Sequence, residues 1–101
     1  MKIPDTVKIA GYTYKVERPK DPFASGESVC DGTHYFAECL IKVSQFGCED
    51  YQNTVFWHEV IHGVLNAYCS DVISSEDEEK ITERLAKGLY SFIVDNPEIF
   101  K

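Results

Sequence analysis

Between Val7 and Glu17, apolar and polar residues alternate on either side of Gly11: Val7-Lys8-Ile9-Ala10, then Tyr12-Thr13-Tyr14-Lys15-Val16-Glu17. A period of two marks a strand with one buried face, so this stretch predicts a β-hairpin closed by a tight turn. From Pro19 to Ser28 the pattern dissolves into turn formers, which predicts a surface loop. Being long for a small domain, such a loop can border a binding site. A short strand over Ser28 to Asp31 and a turn at Asp31-Gly32 come next. Tyr35 to Val43 then has the β-branched and apolar content of another strand, densest over Glu38 to Val43. The N-terminal half is expected to form a small antiparallel sheet of three or four strands.

Beyond Gln45 the period becomes helical. Trp57, Val60, Ile61, Val64, Leu65 and Tyr68 recur at helix spacing and predict a helix from about Tyr51 to Tyr68 or Cys69. Glu49 or Asp50 suits its positive N-terminal end. Cys69 to Ser74 is a link, and Ser75-Glu76-Asp77-Glu78 has the form of a capping box opening a second helix. Ile81, Leu85, Leu89, Phe92 and Ile93 would be that helix's buried stripe, with Asn96-Pro97 as its stop. The expected fold is α+β, one domain over residues 1–101, its sheet packed on two helices. One sheet edge must lie near the first helix, because only a short connector separates Val43 from it.

Composition narrows the function classes. A net charge of −7 removes the electrostatic help a phosphate backbone requires, so nucleic acid is not an expected partner. No apolar run is long enough to span a membrane, and Met1-Lys2-Ile3-Pro4-Asp5 lacks the apolar core of a signal peptide. A reducing, cytoplasmic setting follows as the expectation. Cys30, Cys39, Cys48 and Cys69 fit it as free thiols and make no C-x-x-C pair.

The chemistry concentrates at His58-Glu59-Val60-Ile61-His62. Residues four apart share a helix face, so His58 and His62 can grip one divalent ion, for which zinc is the usual choice. Glu59 sits one step round the helix, placed to hydrogen-bond a water on that ion without being a ligand. In the H-E-x-x-H arrangement the metal acidifies the water and the carboxylate takes its proton. A catalytic zinc site needs a third protein ligand. His34 is one source. The second helix is richer, with Glu79 and Glu83 sharing a face, while Glu76, Asp77 and Glu78 read as a solvated run at the helix start. In an ideal antiparallel pair, Glu83 would lie level with His62.

H-E-x-x-H followed by a glutamate about twenty residues later on a second helix resembles the gluzincin class of zinc metallopeptidases. More closely, the chain resembles the small single-domain forms of bacteria and phages related to the ImmA/IrrE repressor-cleaving enzymes. The similarity covers the hairpin Val7–Glu17, the strand Glu38–Val43, the motif His58–Gly63, and Glu79 to Tyr90 ending at Asp95-Asn96-Pro97. It implies Glu79 as third ligand and Glu83 as the acid orienting a ligand histidine, with Glu83 the alternative ligand. The departure is a glutamate at position 83 where that class often has aspartate.

On this reading the chain is a zinc metallopeptidase acting on a protein or peptide, with Glu59 as general base. Tyr90, Tyr68, His34 and Tyr35 are the candidate donors to a tetrahedral oxyanion, Tyr90 foremost. The strand near Glu38–Val43, taken as an edge, would let an extended peptide add by main-chain hydrogen bonds. The mobile-element relatives suggest a single repressor or host protein as substrate, by analogy alone. From another class, the same residues fit a zinc-stabilised binding module without catalysis. Oligomeric state is not legible.

Overall fold

A computed structural model describes residues 1–100. Six strands and two helices follow one another: β1 Thr6–Ile9, β2 Tyr12–Glu17, β3 Phe23–Ser25, β4 Ser28–Cys30, β5 Gly32–Tyr35, β6 Leu40–Val43, α1 Glu49–Tyr68 and α2 Ser75–Asp95, with a 3-10 turn at Pro97–Phe100. The class is α+β, as expected. β1 and β2 form the hairpin, and its turn places Ala10 and Gly11 at φ of 52° and 85°, the two left-handed positions that match strand twist.

The four-stranded sheet runs β1-β2-β6-β5. It is mixed, which corrects the antiparallel expectation: β2 pairs parallel with β6, while β1–β2 and β5–β6 are antiparallel. A parallel neighbour requires a crossover, and the chain between Glu17 and Leu40 supplies it. That crossover contains a small antiparallel ribbon in which β4 is the short strand expected from Ser28 and β3 lies where a plain loop was expected. The expected strand over Tyr35–Val43 is divided, since a turn at Phe36–Cys39 folds β6 back on β5 and leaves Glu38 outside both. Consequently β6 is internal, and β5 is the free edge beside α1.

One face of the sheet buries Ile9, Tyr14, Val16, Ile41 and Val43 against Phe56 and Val60 of α1. Arg18 clamps this arrangement, donating through Nε to the Val43 carbonyl at 2.8 Å and through Nη2 to the Gln52 amide oxygen. Helix and sheet also approach closely at Gly63: a Cβ there would stand 3.1 Å from Ile9 Cδ1 and 3.3 Å from His34 Nε2. Val64 and Tyr68, expected in the apolar face of α1, are exposed.

A second, smaller core of Ile61, Leu65 and Ala86 joins the helices. α2 is capped by Ser74, one residue before the predicted cap; its Oγ accepts from the Asp77 amide at 3.1 Å. The buried positions of α2 are Thr82, Ala86 and Tyr90. Of the predicted stripe, Leu85, Leu89 and Phe92 are exposed, while Ile81 and Ile93 are half-buried. Small side chains at 82 and 86 let the helices approach closely, and Leu85, Leu89 and Phe92 are turned outward. No helix among the described residues is long and apolar enough to cross a membrane. Cys30, Cys39, Cys48 and Cys69 are free.

Candidate metal centre

One turn of α1 carries both histidines toward α2, with ring centroids 4.8 Å apart. Glu79 rises between them. Its Oε1 lies 3.3 Å from His58 Nε2 and its Oε2 lies 3.0 Å from His62 Nε2. His58, His62 and Glu79 can each offer an atom within 4.8 Å of the others. Two imidazole nitrogens and one carboxylate are the donor set of a three-ligand zinc site, so these residues fit that ion by chemistry and by spacing.

The other ring nitrogens have carboxylates too. His58 Nδ1 is 3.4 Å from Glu83 Oε2, and His62 Nδ1 is 3.2 Å from Glu78 Oε2. An acceptor at Nδ1 keeps the proton there and leaves the Nε2 lone pair free for a cation. Burial, then the neighbouring His62, lowers the His58 pKa against the opposing pull of Glu79 and Glu83. A neutral ring is the ligating form. Glu78, read from the sequence as solvated, is therefore drawn inward. Glu79 and Glu83 differ in reach: Glu83 lies opposite His58, while Glu79 alone reaches both rings. The level pairing of an ideal hairpin is displaced by about one turn.

Glu59 stands against β5, where a Cβ on Gly32 would lie 2.9 Å from its Oε2. It is 7% exposed, and among the described residues it has no hydrogen bond or ion pair. Burial, and secondarily the Glu79 carboxylate, push its pKa from 4.5 up to about 8. A dication at the histidines would oppose that shift, because it favours the ionised carboxylate. Glu59 opens into a groove of about 550 Å³ bounded by the start of β5, α1 and α2. Asp31, Gly32, Tyr51 and Lys87 are among its residues that sequence reasoning missed. No local pattern marks them, since they meet only when β5 is laid along α1.

Of the candidate oxyanion donors, the three tyrosines make their contacts elsewhere, and His34 lies near enough to His62 and Glu78 to feel their charges without joining the ligand cluster. Tyr90 donates its hydroxyl to Asp50 Oδ1 at 2.7 Å and accepts from Asn53 Nδ2 at 3.1 Å, near the start of α1. His34 stacks on Tyr14 with its Nε2 3.2 Å from the tyrosine oxygen. Tyr35 lies under the Lys42 ammonium, and Tyr68 is exposed at the end of α1. His34 is therefore held in the helix–sheet packing rather than among the ligands.

The chain matches no protein-family model, no curated protein and no solved structure.

Proposed function

We propose that this protein is a zinc-dependent metallopeptidase of cytoplasmic location whose substrate is a protein or peptide. The observation that carries the reading is the convergence of His58, His62 and Glu79 beside a buried, unpartnered Glu59. A zinc ion held by those three residues would acidify a water and polarise a peptide carbonyl. Glu59 is the base that takes the proton of the attacking water and returns it to the leaving amine. Its burial gives it a high proton affinity in the metal-free state, the property a proton shuttle near neutral pH requires. Glu83 and Glu78 hold the two rings in the tautomer that presents Nε2. The free edge of β5 replaces β6 as the place for an extended peptide to add main-chain hydrogen bonds.

The test is zinc content and peptide hydrolysis of wild type and Glu59→Gln. One zinc per chain in both, with cleavage only by the wild type, is the expected result. Zinc in both with no difference in any assay would make the chain a zinc-stabilised binding module. A chain that takes up no zinc would end the reading altogether.

A further inference from the structure

We infer that the groove beside Glu59 receives a lysine or arginine side chain, with Asp31 as its counter-charge. That the side chain belongs to a peptide substrate rests on the peptidase reading; the cation pocket itself does not.

The groove follows one stripe of α1, residues 51, 54, 55, 58 and 59. By helical rise Tyr51 and Glu59 are about 12 Å apart, enough to lay a long unbranched side chain along the helix. Its apolar walls are formed by Val55, Ala86 and the Tyr51 ring. Asp31, next in the chain to Gly32, lines the same groove and is fixed by two hydroxyl donors. The Ser44 Oγ, in a residue 1% exposed, donates to Oδ1 at 3.0 Å, and the Tyr51 hydroxyl donates to Oδ2. A carboxylate oxygen accepts more than one hydrogen bond, so both retain capacity for an incoming cation.

No cation of the described residues ion-pairs with Asp31. Lys87 also lines the groove, but its Nζ is held 3.0 Å from Glu83 Oε1. With Lys87 on Glu83, Asp31 is left without a counter-charge among the described residues. Glu59 supplies the independent indication that a ligand enters here. The residue is more than nine-tenths buried and has no hydrogen bond or ion pair among the described residues, and what remains accessible of it opens into the same space. Apolar walls ending in a positioned acid match a methylene chain ending in a cation.

The full chain is titrated with Nα-acetyl-arginine amide and, separately, with Nα-acetyl-norleucine amide, following the amide signals of Gly32, Tyr51 and Ala86. The arginine compound is expected to bind at least about tenfold more tightly and to move all three signals. Asp31→Asn keeps an acceptor for one hydroxyl, lets its amide donate to the other, and should bring the two probes within about twofold of each other. Thr54→Lys places a competing ammonium on the groove wall and should also abolish the preference, which keeps the test decisive if the Asp31 variant fails to fold. Equal binding of both probes by the wild type would overturn the inference. Digestion of a peptide mixture by the zinc-loaded chain separates the two readings. An arginine preference without any cleavage keeps the pocket and removes the peptidase. Cleavage with no basic residue beside the cut and no probe preference does the reverse.

Discussion

Gly32 of β5 stands against Glu59 of α1 with no space for a side chain between them. A Cβ at Gly32 would lie 2.5 Å from Val55 Cγ1 and 2.9 Å from Glu59 Oε2. Glu59 can bend aside, but Val55 is β-branched and sits on a helix, where its rotamer is nearly fixed. Gly32→Ala is therefore expected to push β5 off the helix and to cost about 1–3 kcal/mol in urea denaturation. Wild-type stability in that variant would contradict the close packing.

The same burial sets a pH dependence. Glu59 is raised from 4.5 to about 8, so between those values the folded metal-free chain keeps a proton that the unfolded chain has released. Its contribution is complete below pH 4.5 and is lost as pH rises toward 8. His58 acts oppositely: burial first, then His62, holds its pKa below 6.5, so its effect on stability appears as pH falls below that value. The window from 6.5 to 8 therefore isolates Glu59, where the loss should be about 2 kcal/mol. Calorimetric melts of the metal-free protein should show Tm falling across this window, with a flat profile for Glu59→Gln. A wild-type profile as flat as the variant's would mean the carboxyl is hydrated.

The three glutamates of α2 should separate by zinc affinity. Glu79→Gln removes the one carboxylate that reaches both Nε2 atoms, and is expected to weaken zinc by more than about 100-fold. Glu83→Gln and Glu78→Gln remove partners of Nδ1 only, and should weaken it by about 10- to 100-fold. Competition against a chromogenic chelator measures all three. If Glu83→Gln proves the worst, Glu83 is the ligand.

Zinc removal should lower the wild-type melting temperature by several degrees, because binding energy adds to folding energy and the acidic cluster then repels itself. Melts with and without chelator, with metal content verified, give the comparison. An unchanged Tm after verified removal would mean the site contributes nothing to the fold.

Tyr90 ties the helices together at the opposite end from the histidines. Tyr90→Phe leaves Asn53, 1% exposed, without its hydroxyl partner. The expected loss is about 1–2 kcal/mol of stability with zinc affinity unchanged. A variant that weakened zinc without losing stability would return Tyr90 to the site.

Periodicity along the chain determined the hairpin at Gly11, the helix carrying His58 and His62, the second helix and the α+β class, because each depends on neighbours a few residues apart. It also placed two imidazoles on one face, since that follows from helix pitch alone. Which partner each face meets was decided by the tertiary structure. The parallel β2–β6 pairing, the edge position of β5 and the Asp31–Tyr51 contact join residues that no local pattern relates. On α2 the most apolar stripe faces outward. Bringing Glu79 and Glu83 to the histidines turns Thr82, Ala86 and Tyr90 inward, and a helix has only one face to offer a neighbour. Spacing states which side chains travel together; packing decides where they arrive.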